Sequence, residues 1–240
     1  MTHTARVLDD PDVENGVRYP SSDGKPMAET DFHVMAIRLL LDALEDALDG
    51  QKDVHISGNS FFFWVEGDPS KRRAPDAMVV FGVEKGGRRS FRTWKEGGAV
   101  PSVCFEVASK KIWKANLGAV KDDYEAAGVK EYFVFDPLRD CLPQPLMGYR
   151  LKGKTFRKLK ADGNGAVTSE ELGLCLIPEG RMLRLIHLAS LERVLTRTEQ
   201  TLSARAETSA IHALAEQIKA ENVRLRAQIE ANGKSLNGHS

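Results

Sequence analysis

No run in this chain approaches the roughly 20 consecutive apolar residues that a membrane-spanning helix needs, which excludes a helical membrane protein. The N-terminal stretch MTHTARVLDDPDVENG lacks the cationic and apolar regions of a secretory signal, so the expected setting is cytoplasmic. Cysteine is scarce. Cys104, Cys141 and Cys175 leave an odd thiol and show no metal-ligand spacing, which argues against a disulfide scaffold or a zinc ribbon. Aromatic residues stop after Phe156, glycine is missing from Leu183 to Ala231, and there is no internal repeat. Net charge is missing as well, with 34 basic against 34 acidic residues. Spread evenly, that balance would argue against a nucleic-acid partner.

The charge is not spread evenly. Residues 1–69 hold 14 acidic and 5 basic residues, and residues 70–121 hold 12 basic and 4 acidic. The second block contains SKRRAPD, KGGRRSFRTWK and SKKIWK. Lys71, Arg72, Arg73, Arg88, Arg89, Lys110, Lys111 and Lys114 are its candidates for phosphate contact, and a solvated basic face explains the pattern equally well.

Turn signals in GVRYPSSDGKP mark residues 1–26 as an N-terminal arm or hairpin. A helix is expected from about Thr30 to Leu48. Thr30 or Asp31 would be its N-cap, and Met35, Ile37, Leu40, Leu41, Leu44 and Leu48 its apolar face. Strand-like runs follow at DVHISG, NSFFFWVEG, PDAMVVFGV and PSVCFEVAS, then a helix at GAVKDDYEAAG closed by Gly128. EYFVFDP reads as a strand, LMGYRLKGKTFRKLKADGNG as a hairpin, and ELGLCLIP as a short closing element. Strands bracketed by helices predict an α/β fold, with one domain over residues 27–187. Residues 188–230 read as a long C-terminal helix or coiled coil, in which Ile211, Ile218 and Leu225 share one heptad position. A helix docked on the domain and a helix that builds a homo-oligomer fit that pattern equally. Residues 231–240 are expected to be disordered.

Glu106 is out of character with its surroundings. Val103, Cys104, Phe105, Val107 and Ala108 suit a strand covered on both faces, where a carboxylate is costly unless it is paired or metal-bound. Asp76 opens the preceding strand after Pro75, and Glu29 lies just before the first helix. Singly, each has an ordinary explanation: a turn residue, an ion pair, a helix N-terminal acid. Together, acids on neighbouring strands can hold a hard divalent cation, and Mg²⁺ prefers such oxygen ligands. A nearby amine would assist water attack on a phosphodiester, with Lys110, Lys111 and Lys121 as candidates. Alanine stands at 108, where a Glu-x-Lys pattern would place that amine.

AETDFH, APDAMVV, FEVASK and KDDYEAAGVKEYFVFDP, in this order and spacing, resemble the Uma-two restriction endonuclease family of the PD-(D/E)XK nuclease superfamily, over roughly residues 17–185. The resemblance implies a restriction-endonuclease-like αβββαβ core with a mixed central sheet flanked by helices. It also implies a Mg²⁺- or Mn²⁺-dependent phosphodiesterase site built from Glu29, Asp76 and Glu106, acting on DNA, with Lys121 or Lys110 assisting. His33 fits the pattern too. Where the family carries a lysine four residues before the tyrosine, this chain has Val120 with Lys121 next to it, and Asn116 stands where an Asp is common. One residue along a helix turns a side chain by about 100°, so the amine is displaced. The alternative is a catalytically weak or inactive nucleic-acid-binding or assembly protein on the same fold. A carboxylate-pair glycosidase sits poorly with the basic segments. KADGNGAVTSEE imitates a calcium loop, but Lys160 occupies the first ligand position and the flanks read as strand, so it is read as hairpin chemistry.

Overall fold

The computed structural model describes residues 7–8, 12–22 and 30–237, and the side chains of these except 7–8, 110–116 and 230–237. The chain divides into two units after Val194.

In the first unit, helix α1 spans Asp31–Ala47, and Thr30 is its cap, accepting from the His33 amide through Oγ1 at 3.3 Å. Its buried stripe is His33, Ala36, Ile37, Leu40, Ala43 and Leu44, the three- and four-residue spacing of one helical face. Met35 departs from the expected apolar face. It lies two residues before Ile37, nearly opposite on the helix, and is 46 % exposed.

Six strands form the central sheet: β1 (Val54–Ser57), β2 (Ala77–Phe81), β3 (Val103–Val107), β4 (Glu131–Phe135), β5 (Leu146–Lys152) and β6 (Thr155–Lys158), in spatial order β6-β5-β4-β3-β2-β1. Only β3 and β4 run parallel, and helix α2 (Lys110–Ala127) makes the crossover that a parallel pair requires. Gly128 ends α2 in the left-handed conformation, φ +83°. The α-β-β-β-α-β order that the resemblance implies is therefore present, in a mixed α/β fold. The run NSFFFWVEG departs from expectation, since only Phe62–Phe63 is extended and it pairs with Arg72–Arg73 and Phe91–Arg92 in a small side sheet.

The two faces of the central sheet bury different partners. Ala77, Val79, Val103, Phe105, Val107, Phe133 and Phe135 pack against α1. On the same side lies a three-stranded sheet of β7 (Val167–Ser169), β8 (Leu174–Glu179) and β9 (Met182–His187). Met78, Val80, Cys104, Tyr132 and Val134 face α2 through Val120, Tyr124 and Ala127. Fully buried Glu131 ties the sheets together. It accepts from Arg150 Nε at 2.8 Å, from Ser169 Oγ at 2.5 Å and from the Glu170 amide at 3.1 Å. ELGLCLIP is thus one strand of a sheet, not an isolated closing element. In the calcium-like loop, Asp162 Oδ1 accepts from the amides of Asn164 and Ala166 at 2.8 and 2.9 Å, a turn.

The acidic N-terminal segment meets the basic block internally. Val13–Glu14 and Val17–Arg18 form a hairpin around Asn15 and Gly16, φ +50° and +78°. Glu14 pairs with buried Arg92 at 2.9 Å and with Lys95 at 3.4 Å, while Asp12 pairs with Arg89 at 3.0 Å. Arg92 also lies 4.6 Å over the Tyr19 ring.

In the second unit, helix α3 spans Arg197–Asn237, so residues 231–237, expected to be disordered, continue the helix, and 238–240 lie outside the described residues. The pattern predicts its start near residue 188. Instead Val194 returns to hydrogen-bond Leu185 at 3.0 Å, Arg193 bridges Ile186, and Leu191 turns the chain at φ +60°. Thr196 then caps α3 reciprocally with Glu199: its amide donates to Glu199 Oε2 at 2.7 Å, and the Glu199 amide donates to Thr196 Oγ1 at 3.2 Å. No helix among the described residues is long and apolar enough to cross a membrane.

Gly148 sits against Phe133 and Val167, and an added Cβ would lie 2.8–2.9 Å from their atoms. Gly148→Ala is expected to lower the unfolding free energy by about 1–3 kcal/mol, measured by denaturant titration. An unchanged midpoint would contradict this packing.

Candidate active site

The ladder between β2 and β3 ends with Ala77 opposite Phe105. One step further, in the same register, Asp76 faces Glu106. Side chains alternate along a strand, so residues 76, 78 and 80 and residues 104 and 106 share the face turned toward α2. This answers the anomaly in PSVCFEVASKK: Glu106 occupies an α2-facing position at the strand end. It is the one residue of β3 that is not fully enclosed.

Both acids are fixed. Asp76 Oδ2 accepts from the Val107 amide at 2.7 Å, tying the entry of β2 to the end of β3. His33, from the first turn of α1, brings Nε2 to 3.8 Å from Asp76 Oδ1. Tyr124, from the core face of α2, donates to Glu106 Oε1 at 2.6 Å. Gly58 lets β1 approach closely, because a Cβ there would stand 2.8 Å from the Asp76 carbonyl oxygen and 2.7 Å from Leu41.

The electrostatics follow from the enclosure. Burial, then the neighbouring Asp76 carboxylate, push Glu106 up to about 8; the Tyr124 hydrogen bond and the Arg73 guanidinium oppose that rise. Burial and the Glu106 charge likewise raise Tyr124, which stays a protonated donor at neutral pH. Among the described residues, neither carboxylate forms an ion pair with lysine or arginine. Two neighbouring carboxyl groups offering hard oxygens, with no lysine or arginine ion pair among the described residues, are chemically suited to a divalent cation, which would favour the ionised form of both.

Each expected residue can now be located. Asp76 and Glu106 come together. Glu29 lies outside the described residues, as do the side chains of Lys110, Lys111 and Lys114. The Lys121 ammonium contacts Glu125 at 2.8 Å and lies about 6 Å over the rings of Tyr149 and Phe156; its described partners include neither Asp76 nor Glu106. Arg73 pairs with Asp123 at 2.5 Å, one residue before Tyr124. With Phe61, Ser70, Arg72, Ala74 and Asp123 it lines a cleft of about 440 Å³. Lys71 is exposed beside that cleft, and Arg72 lies 5.2 Å over the Phe61 ring.

The expectation for Arg88 is corrected. Its side chain is 4 % exposed and holds Glu96 through Nε at 2.6 Å and a second nitrogen at 2.9 Å, so its guanidinium is enclosed by the fold. Arg89 stays half-exposed and pairs with Asp12. Tyr124 looks from its sequence setting more like core packing than chemistry, and its bond to Glu106 is the contact that such a reading misses. The available signal is Val120, Tyr124 and Ala127 at helical spacing, a core face with one hydroxyl that needs an acceptor. Asp136, Asp140 and Cys141 also cluster. However, Asp136 accepts from four backbone amides, those of Leu138, Arg139, Cys141 and Leu142, so its lone pairs serve a turn.

Comparison with known proteins supplies the class. The model of the Uma2 family, described as "Putative restriction endonuclease", matches residues 6–175. The chain belongs to that family, and a nuclease-like function follows. No curated protein matches the sequence. A solved structure from Anabaena variabilis ATCC 29413, described as a putative nuclease belonging to DUF820, is similar at 14 % identity and a TM-score of 0.45, covering 66 % of this chain and 80 % of that one.

The raised Glu106 pKa sets a stability signature. Below about 4.5 the carboxyl is protonated whether folded or unfolded; as pH rises to about 8 the unfolded chain ionises first, so the folded state loses stability across that window. Wild type is expected to lose Tm relative to Glu106→Gln between these pH values in metal-free buffer, measured by differential scanning calorimetry. A constant gap would remove the buried-carboxyl assignment.

Proposed function

We propose that the chain is a metal-dependent endonuclease that hydrolyses phosphodiester bonds, with DNA as substrate. The observation that carries this reading is the facing of Asp76 and Glu106 at the ends of adjacent strands, where burial raises the Glu106 pKa. Asp76 and Glu106 would hold Mg²⁺ or Mn²⁺ through carboxylate oxygens, with Glu29 as third acid. When bound, such a cation neutralises phosphate charge and lowers the pKa of an attacking water.

The chain's own groups perform the rest. Tyr124 fixes one Glu106 oxygen, which leaves the other to serve as ligand. The Val107 amide does the same for Asp76, leaving Oδ1 toward His33. Arg73 is the guanidinium whose field reaches Glu106, and it lines the cleft formed with Phe61, Ser70, Arg72, Ala74 and Asp123. It supplies positive charge near the phosphate, a role for which the sequence suggests Lys121 or Lys110. Lys71, Arg72 and Arg89, with Lys110, Lys111 and Lys114, would contact the backbone at neighbouring phosphates, and affinity would fall with salt.

A second reading, a nucleic-acid-binding or assembly protein with weak or no catalysis on the same fold, is favoured by Val120 and Ala108 at the positions where an amine is expected. Nicking of supercoiled plasmid separates the two. Wild type with Mg²⁺ or Mn²⁺ is expected to convert plasmid to nicked or linear form, and EDTA to stop it. Asp76→Asn keeps an oxygen for the Val107 amide and is expected to lower the rate at least about 100-fold, the scale of losing one electrostatic catalytic group. Arg73→Ala is expected to reduce cleavage less. Retarded DNA without cleavage by wild type would favour the second reading, and cleavage unaffected by Asp76→Asn would overturn the site.

A further inference from the structure

Helix α3 is 41 residues long, about 60 Å at 1.5 Å per residue. Its apolar residues lie open: Ile211 is 67 % exposed, Ile218 53 %, Leu225 45 % and Ile229 70 %. On a continuous helix, Ala204, Ile211, Ile218 and Leu225 fall at one heptad position, and Thr208, Ala215, Asn222 and Ile229 at the position four residues later. That is the narrow, 3.5-residue seam of a coiled coil, not the broad stripe by which a helix docks on a globular core. Leu202 and Val223 lie outside the seam, and Leu214 flanks it. The alternative phase would bury Glu207, Glu221 and Gln228, so the seam's register is set.

The flanking charges select the partner. One flank carries Arg205, His212, Lys219 and Arg226; the other carries Gln200, Glu207, Leu214, Glu221 and Gln228. In a parallel, in-register pair of identical helices, each residue of the second flank meets the residue five positions later on the first flank of the partner. The pairs are then Gln200 with Arg205, Glu207 with His212, Leu214 with Lys219, and Glu221 with Arg226, and none joins like charges. An antiparallel pair would bring the basic flank against itself, Arg205 near Arg226 and His212 near Lys219. It would also set Asn222 against an aliphatic side chain, leaving its amide without a partner. In the parallel pair Asn222 meets its own copy, where two amides can hydrogen-bond to each other. The competing contacts within α3 are weak and exposed: Glu221 with Arg224 at 3.7 Å and Glu216 with Lys219 at 2.8 Å.

We infer that the surface formed by this seam is covered by a second copy of the same chain, in a parallel, in-register two-stranded coiled coil over residues 201–229. The asparagine position fixes register and limits the assembly to two strands, at some cost in stability.

The test uses the full chain. Sedimentation equilibrium is expected to give twice the chain mass, and Ile218→Asp to return it to one chain while the thermal transition of the N-terminal unit is unchanged. Asn222→Cys, in a Cys141→Ser, Cys175→Ser background, is expected to cross-link as a disulfide dimer under mild oxidation, because parallel register brings the two introduced thiols together. A wild type that sediments as a single chain overturns the proposal, as does a dimer that survives Ile218→Asp. A dimer of the Asn222→Cys variant that does not cross-link overturns the parallel register.

Discussion

Two carboxylates of like charge, brought face to face where the second and third strands of the sheet begin and end, impose the main constraint on this fold. The ladder delivers them and the surroundings must tolerate them. A backbone amide takes one oxygen of Asp76, a phenol takes one oxygen of Glu106, and a guanidinium stands near enough to ease the remaining repulsion. None of these contacts neutralises the pair. Burial first, and the remaining Asp76 repulsion after it, push the Glu106 pKa up to about 8, a costly arrangement for a core and one more typical of functional sites.

The distribution of charge along the chain has a second explanation. The basic block looks like a phosphate-binding stripe because its partners lie at the other end of the sequence. Asp12 and Glu14, on the hairpin, return to Arg89, Arg92 and Lys95, and Arg88 is satisfied by Glu96. Among the described residues of the block, the Lys71–Arg73 segment and its cleft remain open toward solvent. The opposed charges of arm and block clasp the hairpin to the domain, and the surface presented to an anion is narrower than the residue count suggests.

Where a residue's role follows from local pattern, the sequence discloses it. The α1 cap, the glycine stop of α2, the core strands and the out-of-character Glu106 all lie within a few residues of their cause. The facing of Asp76 and Glu106 is legible only as two unusual acids, because the register that joins them depends on pairing across 30 residues. The Tyr124 bond to Glu106 and the Arg73 pair with Asp123 escape the sequence for the same reason, since their partners sit on other elements. Met35 shows the reverse error: an apolar residue is counted into a face that geometry turns away. The start of α3 is misplaced because Leu191 and Leu195 mimic helical spacing, while the chain uses Arg193 and Val194 for a last bridge to β9.

The clamp at Glu131 has a consequence for recombining this protein with its relatives. Its acid lies in β4, its guanidinium in β5 and its hydroxyl in β7, so one electrostatic unit is distributed over a stretch reaching from residue 131 to residue 169. Removing one member of such an enclosed set strands the others. A chimera joined anywhere inside that stretch inherits a mismatched set unless both parents carry the same trio, whereas a junction past Val194 severs none of it.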